Sequence, residues 1–210
     1  MKTLLLILIT SNLLLATSTH YKVLDRENFE VKNYTLDITK KGDTVVTIMY
    51  DEENDINRTD ITDPNGFTKE FLWKAEGTDI KGRVDNGILY YEGTFHSKEV
   101  NLSIPIDDVP FMFNVRDSLK SFILSDKEEI YMYVTSSNTL GAYKFKATKQ
   151  GKVKLEIHKV NYDSIEVEFS MAGFIGFFVG GDKLYFDKKS GKFLKRIDSR
   201  RDRVELIKLN

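Results

Sequence analysis

Apolar residues recur at every second position through most of this chain, and that period restricts its fold more than any other feature. Ile165-Glu166-Val167-Glu168-Phe169 puts three apolar side chains on one face and two carboxylates on the other. Val153 to Ile157, Val100 to Ile106, Tyr34 to Ile38 and Tyr143 to Ala147 repeat the pattern. A period of two belongs to antiparallel strands with one wet and one buried face. Further strands are expected near 44–50, 68–75, 79–84, 88–95, 129–135, 182–187, 192–198 and 203–209. Turn residues separate them: Lys41-Gly42-Asp43, Pro64-Asn65-Gly66, Asp85-Asn86-Gly87, Gln150-Gly151, Asn161-Tyr162-Asp163 and Ser190-Gly191. Asn-Gly favours tight hairpins, and the spacing predicts a meander of about a dozen strands. No stretch alternates strand with helix as a parallel sheet requires.

The N-terminus breaks this pattern. Lys2 precedes the apolar run Leu4 to Ile9 and Leu13-Leu14-Leu15, and Ala16-Thr17-Ser18 places small residues for cleavage after Ser18. Charge, apolar run and small residues together predict a secretory signal peptide over 1–18, leaving 19–210 as a single β-rich domain. The run is shorter than the ~20 residues a membrane span needs. The chain has no cysteine, which excludes disulfides, thiolate metal sites, a cysteine nucleophile and a lipid anchor on cysteine. Export without cysteine is ordinary for bacteria and unusual for animal extracellular domains. The expected location is therefore the bacterial periplasm or the outside of the cell. With 31 basic and 32 acidic residues there is no general electrostatic pull toward nucleic acid. Charge is uneven all the same: residues 51–70 are acidic and 181–210 basic, surfaces that fit an envelope protein or a membrane as partner.

One helix is expected. Asn114 can cap it, Asp117 stands near its positive end, and Val115, Leu119, Phe122 and Ile123 form one apolar stripe over 114–124. Motifs for chemistry are sparse. There is no G-x-S-x-G elbow, no pair of histidines at zinc-ligand spacing and no phosphate-binding glycine loop. His20, His96 and His158 read as surface residues. Two carboxylate pairs, Glu166/Glu168 and Asp107/Asp108, are what a hydrolase acting through carboxylates would have to use. The acidic run Asp51 to Asp55 lacks the glycine and spacing of an EF-hand loop. No cofactor is expected.

Met171 to Gly181 differs from its surroundings. Phe174, Ile175, Phe177, Phe178 and Val179 alternate irregularly with Gly173, Gly176, Gly180 and Gly181. Such a stretch serves either as a bent element crossing a core or as the mouth of an apolar pocket.

The run Gly180 to Arg196, with Tyr185-Phe186-Asp187 turning through Ser190-Gly191 into Phe193-Leu194-Lys195-Arg196, resembles a hairpin of exported, uncharacterised bacterial β-rich proteins. Those are similar in architecture to the lipoprotein-carrier (LolA/LolB-like) half-barrels, an antiparallel sheet curled around an apolar cavity with helices as a plug. The resemblance implies a mainly β fold: a single strongly curved antiparallel sheet, half-barrel or open barrel, with one packed α-helix. The function expected is non-enzymatic binding of an apolar or amphipathic ligand, a lipid or acyl chain, in the cell envelope. Its expected lining is Phe174, Phe177, Phe178, Phe122 and Trp73. The alternative is a structural or protein-interaction module of the envelope without a cavity.

Overall fold

The computed structural model describes residues 15–25, 31–51, 55–136, 139–173, 181–198 and 203–207. Among these residues fourteen strands form one sheet, and all of its pairings are antiparallel. Eight come before the helical segment: β1 (Leu15–Asp25), β2 (Val31–Lys41), β3 (Thr44–Asp51), β4 (Ile56–Thr62), β5 (Thr68–Ala75), β6 (Thr78–Asp85), β7 (Ile88–Phe95) and β8 (Lys98–Pro105). Six follow it: β9 (Glu129–Thr135), β10 (Ala142–Ile157), β11 (Val160–Met171), β12 (Asp182–Asp187), β13 (Phe193–Asp198) and β14 (Arg203–Ile207). The order is two meanders laid side by side. β8 to β1 runs without a crossover, β1 pairs with β14, and β14 to β9 completes the sheet. The edges β8 and β9 are therefore consecutive in the chain.

The helix expected over 114–124 is present as two short pieces, α1 (Val115–Ser118) and α2 (Lys120–Leu124), interrupted at Leu119. Asn114 caps α1, its side-chain oxygen accepting from the Arg116 N–H. Leu119, Phe122 and Ile123 are buried as the stripe predicts. They pack with Met112, Met132, Phe186, Phe193 and Leu194 in one core cluster. A second cluster forms around Phe71, Ile80, Leu89, Tyr91 and Phe111. Phe71 is accommodated there by Gly82 on the neighbouring strand: a Cβ at Gly82 would stand 1.9 Å from the Phe71 ring. The segment leaving β8 crosses over this face, where Phe111 bridges Tyr133 of β9 and the Phe111 carbonyl accepts from the Thr68 N–H at 2.9 Å. The Tyr91 hydroxyl, on β7, meets the Thr135 hydroxyl of β9 at 2.7 Å. Strands near opposite ends of the sheet order are thus in contact.

Several expectations need correcting. β4 was not expected, because its sequence reads as part of an acidic wet stretch. Gln150-Gly151 is no turn: β10 continues through it, and the register shifts between Lys149 and Gly151 as a bulge. The hairpin after β10 turns at His158 and Lys159, both at positive φ, so Asn161 to Asp163 lie within β11. Of the expected leader, residues 1–14 lie outside the described residues, and Leu15 to Ser18 form the first rungs of β1 opposite Lys40 to Asp37.

Candidate functional site

Antiparallel register decides which side chains share a face. Met49, Arg58, Trp73 and Ile80 are successive cross-strand partners on β3, β4, β5 and β6; Thr47, Asp60, Phe71 and Gly82 form the next row. Both rows face inward. From this wall Thr47, Met49, Arg58, Asp60 and Trp73 line a cavity of about 590 Å³. The opposite wall comes from the second meander: Phe145 on β10, Phe169 and Met171 on β11, Leu184 on β12 and Phe193 on β13. Phe145 and Phe169 are stacked, with centroids 4.8 Å apart and planes 3° from parallel. Phe113 to Arg116 contribute from the start of α1. Asp182, Arg196 and Asp198 add charges next to the aromatic wall, where the Arg196 Nε–H donates to the Asp182 carboxylate at 3.0 Å.

The first wall is polar where a buried sheet face is normally apolar. The Arg58 guanidinium lies over the Trp73 ring, 5.0 Å from its centroid, and 5.9 Å from that of Phe113. Burial, then the neighbouring Arg116 guanidinium, lower its pKa, while Tyr34 and Asp51 oppose the shift. Asp60 is buried; its Oδ2 accepts from the Asn114 N–H at 3.2 Å. The Thr68 hydroxyl also bonds to Asp60 and itself accepts from the Phe113 N–H at 2.9 Å. Asp60 therefore ties the start of α1 to the sheet. Burial pushes its carboxyl up to about 7, with the Thr68 and Asn114 bonds pulling the other way. Asp117, held by the Asn114 amide at 3.2 Å, is pushed up to about 6, again chiefly by burial. Three buried polar atoms on this wall have no hydrogen-bond partner among the described residues: Arg58 Nε, Asp60 Oδ1 and Trp73 Nε1.

Of the five expected lining residues, Trp73 lines the cavity. Phe122 does not. It is a residue of α2 buried in the core, with the Lys149 ammonium 4.9 Å from its ring centroid. Phe174, Phe177 and Phe178 lie outside the described residues, although Met171 and Asp182 on either side of that segment both line the cavity. Arg58, Asp60, Asp182, Arg196 and Asp198 were not anticipated, because alternation assigns charged residues to the wet face. The carboxylates considered for hydrolysis are elsewhere: Glu166 pairs with Lys183 at 3.0 Å, and exposed Asp107 pairs with Lys144 at 2.9 Å. Among the described residues no group of three or more His, Asp or Glu side chains is placed to hold a metal ion, and no helix is long and apolar enough to cross a membrane.

A mainly β, antiparallel fold with one broken helix against its inner face is the class that these elements define. Among solved structures it is similar to the crystal structure of a β-barrel-like protein of the domain of unknown function DUF1849 from Brucella abortus. The match has a TM-score of 0.62 over 91% of this chain and 94% of that one, at 9% identity. At that identity the likeness is one of fold. No family model matches the chain, and no curated protein matches it in sequence.

Proposed function

We propose that the chain is an exported, non-enzymatic binding protein of the bacterial cell envelope, holding an apolar or amphipathic ligand such as a lipid or acyl chain. The observation that carries this reading is the cavity. Its volume of about 590 Å³ falls within the range of small-molecule sites. One wall is mainly aromatic and aliphatic, with Asp182, Arg196 and Asp198 beside its rings, and the other carries a small number of buried polar groups. That division suits a ligand with an apolar body and a polar end. The sheet is read as a strongly curved half-barrel or open barrel, because β3 to β5 and β9 to β13 contribute to one cavity and β7 touches β9. Export fits the burial along β1: Ala16, Thr17 and Ser18 are exposed while Thr19 and Tyr21 are buried. Cleavage after Ser18 therefore removes exposed positions and keeps the buried Thr19 and Tyr21.

Native mass spectrometry of protein purified from the exported fraction tests the reading. The expected result is a mature chain starting at Thr19, carrying extra mass of lipid size that is released on denaturation. A retained Met1 overturns export. Empty protein that also fails to bind a fluorescent fatty acid overturns ligand binding, and leaves the envelope interaction module. One observation favours that second reading: Ile48 and Leu72 are exposed on the outer face, flanking Thr59.

A further inference from the structure

The two polar donors of the first wall are neighbours by construction. Arg58 and Trp73 are directly paired across β4 and β5, so both side chains rise from the same face into the same cavity. The Arg58 Nε–H and the Trp73 Nε1–H are buried, and neither has an acceptor among the described residues. A buried donor left unpaired is costly, and native structures tolerate few of them. The guanidinium is fixed in direction by the rings of Trp73 and Phe113. It therefore presents its donors without further loss of side-chain freedom. Arg116 lines the cavity as well, and its charge repels that of Arg58.

We propose that Arg58 and Trp73 form the head-group site of the cavity and bind the carboxylate of an acyl-chain acid, one oxygen on each N–H. This rests on the ligand-binding reading above and specifies the ligand's polar end. A carboxylate suits the site better than a phosphate. The two unpartnered N–H groups match the two oxygens of a carboxylate, and the carboxyls of Asp182 and Asp198 in the same lining disfavour a second negative charge. The aromatic pair Phe145 and Phe169 on the opposite wall meets the chain of such a ligand.

Trp73 is the chain's single tryptophan, so intrinsic fluorescence reports from the site itself. Laurate, dodecanol and dodecyl phosphate are titrated into the whole protein after its co-purifying lipid has been removed. Laurate is expected to bind at least about tenfold more tightly than dodecanol, the scale of a charge-assisted pair of hydrogen bonds. Arg58→Gln brings that ratio close to one, and Arg58→Lys, which keeps the charge but not the Nε–H, recovers only part of it. Equal affinity for laurate and dodecanol in the parent protein overturns the head-group site and leaves the apolar-ligand reading intact. Tighter binding of dodecyl phosphate than of laurate overturns the carboxylate assignment. Binding of none of the three overturns the ligand reading and this inference with it. Should Arg58→Gln not fold, the laurate-to-dodecanol ratio of the parent protein decides alone.

Discussion

The two walls of the cavity are built by the same local geometry and differ in chemistry. On β10 to β13, Phe145, Phe169, Leu184 and Phe193 follow the usual rule that inward positions are apolar, and the charged groups beside them include the bonded pair Asp182 and Arg196. On β3 to β5, the equivalent positions hold Thr47, Arg58 and Asp60, and three polar atoms there find no partner among the described residues. Burial of apolar surface stabilises the aromatic wall, whereas desolvated polar groups reduce stability in the polar wall unless something pairs with them. Violations of a local rule concentrate where a protein recognises something. The aromatic wall accounts for the fold, and the polar wall is where specificity is to be sought. The two should therefore answer differently to mutation and to pH.

The largest effect is expected on the aromatic side. Phe193 is 1% exposed and touches Tyr21 and Phe186, with ring centroids 5.6 and 5.7 Å away. Phe193→Ala should lower stability by about 3–5 kcal/mol in urea melts, with no dependence on pH. A loss below about 1 kcal/mol would mean that this wall is not part of the load of the core. On the polar side the effect is smaller and depends on pH. The Asp60 carboxyl, raised from 3.8 to about 7, keeps its proton in the folded chain over a range where the unfolded chain has lost it. Stability should then fall as pH rises from about 4 to about 7 and level off above, by up to about 4 kcal/mol. Asp117 adds to the fall in the same direction, ending near pH 6. Urea melts at pH 5 and pH 8 measure this, and Asp60→Asn should flatten most of the difference. A parent protein equally stable at both values would mean that Asp60 is ionised and paired, and the contrast between the walls would lose its electrostatic half.

The same contrast separates what was legible in the sequence from what was not. Alternation identified the aromatic wall, because Ile165 to Phe169 and Leu184 to Phe186 carry apolar residues where a buried face needs them. The helical period separately gave the buried stripe of the helix. Alternation could not give β4. In Ile56-Asn57-Arg58-Thr59-Asp60-Ile61-Thr62 the inward positions include Arg58, Asp60 and Thr62, so hydrophobicity marks neither face. The flanking strands held the missing signal. Met49 and Trp73 are inward, and a hairpin register that aligns them places Arg58 between the two. Gly151 misled for a related reason, since a glycine at positive φ marks a bulge as readily as a turn, and only the partner strand tells them apart. Phe122 looked like a cavity residue because its stripe is apolar, but a helical stripe shows only that a face is buried. Whether it meets a cavity or a filled core depends on the sheet beneath, and here Phe186, Phe193 and Leu194 belong to the same filled cluster.

The smallest effect tests the junction between the two walls, where the start of α1 is tied to Asp60. Asn114 does two jobs there. Its side-chain oxygen accepts from the Arg116 N–H at 3.3 Å, and its amide donates to Asp117 at 3.2 Å. Asn114→Ala removes both and should cost about 1 kcal/mol, the usual value of a lost cap. Aspartate caps helices as well as asparagine does, so on capping grounds alone Asn114→Asp should be neutral. The polar wall predicts otherwise. The new carboxylate would face Asp117 without the donor that now separates them, with Asp60 bonded to the same residue's backbone. At pH 8, where all three carboxyls are ionised, Asn114→Asp should be less stable than Asn114→Ala. At pH 5, where Asp60 and Asp117 are largely protonated, the order should reverse, because the cap is retained and the repulsion is gone. Urea melts of the two variants at both pH values measure the crossing. An Asn114→Asp variant as stable as the parent at pH 8 would mean that the helix start is open to water, and that the buried charges of the polar wall are fewer than the geometry implies.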